Sequence, residues 1–171
     1  MENDKGNSGI ERTLVIIKPD GVKRGLIGPI LTRFENAGMK IVGMKFRWIT
    51  EDHAMQHYTE DLAIRRGQKI RERMVDFIKS GPVLAFVLEG VDVIENVRKM
   101  IGATEPKSAQ PGTIRGDYAH VSFNHSDAKG TTAENLIHAS SDSKDAEREV
   151  WLWFNEDEIY NYQTVHEAHT L

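Results

Sequence analysis

Two stretches of the chain are unbroken apolar runs, and most of the rest places its apolar residues at helical or alternating intervals. Residues 13–17 (TLVII) form a β-branched run that stops at KPDG (18–21), a turn signature in which Pro fixes φ and Gly accepts φ > 0. Lys18 therefore stands at the end of a buried strand. Residues 28–34 (GPILTRF) are apolar at helical spacing, with Pro29 suited to a first turn and Gly38 to a stop. Residues 40–48 (KIVGMKFRW) alternate as a half-buried strand. Thr50, with Glu51 and Asp52 behind it, caps a helix whose spacing runs to Lys79 with a break over 59–67. SGP (80–82) ends that helix, and 83–88 (VLAFVL) reads as a central strand. Residues 91–101 are amphipathic and stop at Gly102. The segment 105–117 (EPKSAQPGTIRGD) has no period and predicts a long loop, a kind of segment that in compact domains tends to be functional. Residues 118–123 alternate as a strand, 124–132 form a polar loop, NLIH (135–138) is a short apolar approach to a Ser/Asp cluster, and 144–154 form a last helix.

The order is β-α-β-α-α-β-α-loop-β-α, without internal repeats. A doubled, split β-α-β unit predicts an α+β, ferredoxin-like α/β sandwich: a four-stranded antiparallel sheet with helices packed on one face. RNA-binding and enzymatic domains both use that topology, so it does not choose a function.

The length of 171 residues predicts one domain, over 11–159, between a flexible polar lead at 1–10 and a tail at 160–171. Hydrophobic residues at 39% and charged residues at 28% place it among globular proteins. Lys and Arg total 22 against 26 Asp and Glu, a formal charge of -4, which argues against attachment to DNA or acidic lipid by bulk charge and leaves room for a local basic cleft. The cysteine count of 0 removes disulfide scaffolds, zinc-thiolate sites and thiol catalysis. MENDKGNSGI is too polar for a signal peptide, and no apolar run reaches the ~20 residues of a membrane span. The class that remains is a soluble, cytoplasmic domain.

Among residues able to do chemistry, His138 lies where an apolar segment meets ASSDS (139–143), small polar residues that favour turns and helix caps. A chain doubling back there brings Glu149 to one ring nitrogen, fixing the tautomer and leaving the other nitrogen as a nucleophile. On this segment alone, a half-buried histidine beside a cap is the simpler account. In PGTIRGD (111–117) two glycines bracket Thr113 and Arg115, so a tight backbone can aim a guanidinium, whose planar fork suits a phosphate. A loop arginine paired with Asp117 is the alternative. Lys18, Arg98 and Thr104 each read as surface residues alone and as an anion-binding set together. His53 and His57, four apart, share a helix face that could hold a metal, but there is no HExxH and no evident third ligand. His166 and His169 read as solvated tail residues, and Trp48, Trp151, Trp153 and Phe154 as core or interface. No GxxxxGK[ST], GxGxxG or RNP1 string is present.

Taken in order, ERTLVIIKPDGV (11–22), RGLIG (24–28), SGPV (80–83), PGTIRGD (111–117) and NLIHAS (135–140) resemble nucleoside diphosphate kinase, and the resemblance extends over residues 11–154. It implies a ferredoxin-like fold assembled as a homo-oligomer, a hexamer ahead of a tetramer. It also implies ping-pong transfer of the γ-phosphoryl group of a nucleoside triphosphate such as ATP to a nucleoside diphosphate. By that resemblance His138 is the phosphorylated nucleophile, Glu149 orients its ring and Ser140 hydrogen-bonds Glu149. Lys18, Arg98, Thr104 and Arg115 fall on phosphate-binding positions, Tyr58 near the γ-phosphate and the lysine, and Asn135 on the ribose. Mg²⁺ would ride on the phosphates and water rather than on protein ligands. No membrane and no sequence-specific nucleic acid are expected as partners. Three departures stand out. The stretch between Tyr58 and Ser80 is longer than the family pattern and lacks its base-stacking Phe, leaving Ile70 or Met74 to cover a base. An insertion of roughly ten residues, including His125, lies between Asp117 and Asn135 as a surface loop within reach of the nucleotide or a neighbouring subunit. The acid after the histidine is displaced by one, to Asp142, which reads as altered capping.

Overall fold

In the computed structural model, which describes residues 9–170, the two apolar runs become the inner strands of one sheet. Strand β1 (Ile10–Ile17) pairs antiparallel with β3 (Val83–Val91), from Ile10 opposite Val91 to Ile17 opposite Leu84. On the outer sides, β2 (Lys40–Arg47) pairs antiparallel with β3, with a bulge between Ile41 and Gly43, and β4 (Ile137–Ala139) pairs antiparallel with β1. The order β2-β3-β1-β4 is the expected four-stranded, ferredoxin-like α+β sheet.

Helices cover both faces, not one. Val15, Ile17, Leu84, Phe86 and Leu88 pack against α2 (Ile27–Asn36) and α6 (Val93–Ile101). Leu14, Ile16, Ala85 and Val87 pack on the other side against α3 (Glu51–His57), α5 (Gln68–Lys79) and α9 (Ser143–Trp153). The reason lies in the runs themselves: a strand apolar at every position has no face to offer water, so each side must be covered.

Other segments depart from the sequence expectation in instructive ways. KPDG opens a short helix, α1 (Pro19–Lys23), because Pro19 at its start loses no hydrogen bond there. The predicted break at 59–67 holds a separate helix, α4 (Glu60–Arg66), divided from α5 by Gly67 at φ 96. The long loop is partly helical, with a 3₁₀ turn at Pro106–Ser108 and α7 (Ile114–Tyr118), whose N-cap Thr113 accepts from the Gly116 N–H. The strand predicted at 118–123 does not form: α7 runs to Tyr118, and the Ser122 hydroxyl accepts from the His125 N–H to start α8 (Phe123–Ala128). The place beside β1 goes to the NLIH segment instead.

Residues 1–8 of the predicted lead lie outside the described residues, and Ile10 already belongs to β1. The expected tail folds back on its own chain. The Tyr160 N–H donates to the Val42 carbonyl at 2.8 Å, the Tyr162 hydroxyl to the Ile41 carbonyl at 2.6 Å, and Lys40 bridges Glu89 at 3.3 Å and Glu167 of α10 (Glu167–Thr170) at 3.0 Å.

Candidate active site

The short strand β4 and the turn after β1 are fastened to each other, and that fastening builds the site. The Lys18 N–H donates to the Leu136 carbonyl at 2.8 Å, and the Leu136 N–H donates to Asp20 Oδ2 at 2.9 Å. Leu136 accepts a left-handed backbone, φ 69, to make this turn. Gly21 is required at the crossing, since a Cβ there would stand 2.7 Å from the Ile17 side chain and 3.0 Å from the Leu136 carbonyl oxygen. The result sets Lys18, Asn135 and His138 near one end of the sheet.

Two buried cations follow. Lys18 Nζ donates to Asn135 Oδ1 at 2.7 Å, and Asn135 Nδ2 donates to the Thr104 carbonyl at 2.8 Å. Burial, helped by the Arg115 charge and opposed by Asp20, pushes the Lys18 ammonium down to about 8. Arg115 is not paired with Asp117, whose carboxylate meets Arg33 at 2.5 Å. Its Nε, Nη1 and Nη2 donate instead to the carbonyls of Asn135, Gly102 and Ile137, at 3.2, 2.8 and 2.7 Å. Of five guanidinium N–H groups, that leaves two for an anion. Burial and the nearby Arg98 charge bring Arg115 down to about 10. The α7 turn that aims it needs Gly116, where a Cβ would fall 2.0 Å from the Gln110 carbonyl oxygen.

On the adjoining side, His138 sits opposite Ile16 in the sheet, and α9 brings Glu149 to it. Asp142, the displaced acid, is the N-cap of α9 and accepts from the Asp145 N–H at 2.9 Å. His138 Nε2 lies 2.8 Å from Glu149 Oε2, the Ser140 hydroxyl donates to the same oxygen at 2.7 Å, and Arg148 Nη2 donates to Oε1 at 3.2 Å. Burial alone would raise the Glu149 carboxyl, but the charge and hydrogen bond of His138, with His57 and Ser140, outweigh it and hold the group at about 2. An ionised carboxylate beside Nε2 keeps the ring proton there, and Nδ1 is left as the unprotonated, nucleophilic nitrogen.

A stability consequence follows with a definite sign. The Glu149 carboxyl sits below its ordinary 4.5, so its stabilisation is present above about pH 4.5 and is lost as pH falls toward 2. Glu149→Gln should therefore be less stable than wild type by about 2–3 kcal/mol near pH 6, with the gap closing toward pH 3. Denaturant unfolding of both proteins at the two pH values measures this; an equal gap at both would contradict it.

His57 has a place that the sequence reading missed, having weighed it only with His53 as a metal pair. It is buried, and its Nδ1 accepts from Trp153 Nε1 at 3.3 Å. Its ring meets that of His138 edge-on, with centroids 4.6 Å apart. Burial first, then the His138 charge, holds His57 well below the ordinary histidine value. A neutral ring thus walls the His138 imidazole. His53 instead packs on Trp153. Tyr58 is buried next to this group, its phenol pushed upward by burial and by the Glu149 and Asp20 charges. The adjacency of His57 and Tyr58 on the last turn of α3 was the available signal.

Lys18, Thr104 and Asn135 also line a cavity of about 290 Å³. One wall comes from α4 and α5, including Ile70 and Met74; the other comes from the inserted segment, including Phe123 and Asp127. His138, Glu149, Ser140 and Tyr58 stand outside that cavity and connect to it through Asn135 and β4. Arg98, exposed on the last turn of α6, does not line that cavity and is felt through its charge on Arg115.

Over most of its length the chain is similar to known proteins. Residues 11–159 match the family model for nucleoside diphosphate kinase. The nucleoside diphosphate kinase of Borreliella burgdorferi is 48% identical over 155 residues, covering 90% of this chain and 93% of that protein. The protein of the same name from Pyrococcus furiosus is 51% identical over 153 residues, covering 90% and 88%. Among solved structures, a transition-state mimic of the Borrelia burgdorferi enzyme with bound vanadate and ADP superposes with a TM-score of 0.93 at 46% identity, covering 95% of this chain and 97% of that one.

Proposed function

The chain belongs to the nucleoside diphosphate kinase family and is a phosphotransferase acting on nucleoside di- and triphosphates, and on that footing we propose that His138 carries the phosphoryl group between them. The observation that supports this most directly is the His138 Nε2 to Glu149 contact of 2.8 Å, which commits one nitrogen and frees the other.

In the first half-reaction the Nδ1 lone pair attacks the γ-phosphorus. The bond from that phosphorus to the β–γ bridging oxygen breaks, and the nucleoside diphosphate leaves with the electron pair. The ring keeps its Nε2 proton and becomes a phosphorylated, cationic imidazole, a charge that Glu149 faces directly. No general base is needed, because the attacking nitrogen carries no proton. The second half-reaction reverses these steps on a different diphosphate. Positioning and neutralisation of charge on the equatorial oxygens supply most of the catalysis. Lys18 and the two spare N–H groups of Arg115 are proposed to act on the phosphates, with Thr104, Arg98 and Tyr58 around them, while Asn135 holds Lys18 and contacts the ribose.

Mg²⁺ is proposed to arrive on the phosphates. Among the described residues, His57, His138 and Glu149 form the one cluster of three side chains able to ligate a metal, and it is already closed by the His138–Glu149 hydrogen bond. Lys18, Thr104 and Asn135 at the proposed phosphate end of the cavity offer a cation, a hydroxyl and an amide, which suits a metal brought by the substrate rather than held by the protein. When bound, the ion would neutralise charge on the polyphosphate.

The proposal extends to a homo-oligomer, hexamer ahead of tetramer, in the cytoplasm. The outer strand β2 and the turn after it expose Phe46 at 59% and Trp48 at 65%, an apolar edge of the kind that second copies cover. Among the described residues no helix is long and apolar enough to cross a membrane.

Initial-rate kinetics test the reaction order. With ATP as donor and GDP as acceptor, double-reciprocal plots at several fixed GDP concentrations should be parallel, as a shuttling phosphoenzyme requires. Intersecting lines would mean direct transfer in a ternary complex and would remove His138 as carrier.

A further inference from the structure

We propose that Phe123, on the inserted segment, is the stacking platform for the nucleotide base and biases the enzyme toward purines. The inference rests on the kinase reading and adds to it the residue that grips the base. If Lys18, Thr104 and Asn135 mark the phosphate and ribose end of the cavity, the base must lie toward the remaining walls. Those walls belong to α4 and α5 on one side and to the insertion on the other. Among the described residues that line the cavity, Phe123 is the one aromatic side chain, and it keeps 36% of its surface exposed. Ile70 and Met74, the side chains expected from sequence to cover a base, line the opposite wall but offer no π-face.

Phe123 is held in place rather than carried on a loose loop. Its N–H donates to Glu105 Oε1 at 2.8 Å, the Lys107 N–H donates to the Val121 carbonyl at 3.1 Å, and the Ser122 hydroxyl caps α8. Ser126 of α8 is buried, and its carbonyl accepts from the Thr131 N–H at 2.9 Å. Across the mouth, Asp127 of α8 meets Arg73 of α5 at 3.2 Å, joining the two walls. A fixed aromatic face in a cavity of about 290 Å³ suits one planar base. Stacking against such a face tolerates every base but grows with ring area, so purines gain most.

Calorimetric binding to the full chain tests this with three probes: ADP, CDP and inorganic tripolyphosphate. Phe123→Ala should weaken ADP roughly ten-fold and CDP about three-fold while leaving tripolyphosphate unchanged, and Phe123→Tyr should restore ADP to near wild type. Unchanged ADP affinity in Phe123→Ala would overturn the proposal. So would an equal loss of ADP and tripolyphosphate, which would mark Phe123 as a structural residue only. A wild type that binds neither ADP nor tripolyphosphate would instead sink the kinase reading, and this proposal with it.

Discussion

His138→Ala is expected to lower phosphoryl transfer by on the order of 10⁴-fold or more, with the fold intact. The size of the loss follows from what the imidazole does: it is the bond-forming group in both half-reactions, and neither Ser140 nor Tyr58 replaces it. Ser140 is buried with its hydroxyl committed to Glu149, and the Tyr58 phenol is buried with its acidity suppressed. The His138 side chain is itself 23% exposed, so truncation opens little cavity, but it leaves the buried Glu149 carboxylate without its main partner and should lower stability by about 2–3 kcal/mol near pH 6, roughly 4–12 °C in Tm. A coupled assay of nucleoside triphosphate formation, paired with a thermal melt, gives both numbers. Retention of more than about one per cent of wild-type turnover would mean that another group attacks the phosphorus.

Arg115→Ala should be the more damaging change for the fold. The guanidinium is almost wholly buried and satisfies three backbone carbonyls, those of Gly102, Asn135 and Ile137. These lie at the end of α6, before β4 and at the start of β4, so one side chain clamps the end of α6 to the entry of β4. Removing it strands the three oxygens and is expected to cost about 3–5 kcal/mol. For a chain of this length that is on the order of 10 °C in Tm. Arg115→Lys should recover little, because a single ammonium cannot span the fork. Activity at permissive temperature should fall as well, since the same clamp sets Asn135 and hence Lys18. Thermal unfolding decides the matter, and an Arg115→Ala melt within about 3 °C of wild type would contradict the clamp.

How far such a site can be read in advance depends on which residues announce themselves. Lys18 was legible because a β-branched run ended abruptly at Pro-Asp-Gly, which fixes a strand end with a lysine on it. The carboxylate for His138 was legible in part, since a Ser/Asp cluster turns the chain back, but the family resemblance was needed to single out Glu149. Asp20 was not legible at all: in Pro-Asp-Gly an aspartate reads as a turn former, and nothing local says that it will accept from a backbone N–H 116 positions along the chain. His57 was hidden in the same way, because its partners Trp153 and His138 come from distant segments. The strand expected at 118–123 shows the opposite failure. Six alternating residues are a weak signal, and the cap at Ser122 with the docking of Glu105 on Phe123 decided the segment for helix. Helices were expected on one face only, although the unbroken runs at 13–17 and 83–88 leave no side of the strand for water and call for cover on both.

The central claim is that a phosphoryl group rests on His138 between donor and acceptor. Incubation with γ-labelled ATP and Mg²⁺, separation under alkaline conditions and addition of GDP test it most directly. A base-stable, acid-labile label is expected on the wild type, absent from His138→Ala, that leaves the protein when GDP is added and is recovered as labelled GTP. Wild-type protein that makes GTP without ever carrying the label, or that carries it on a residue other than His138, would contradict the account.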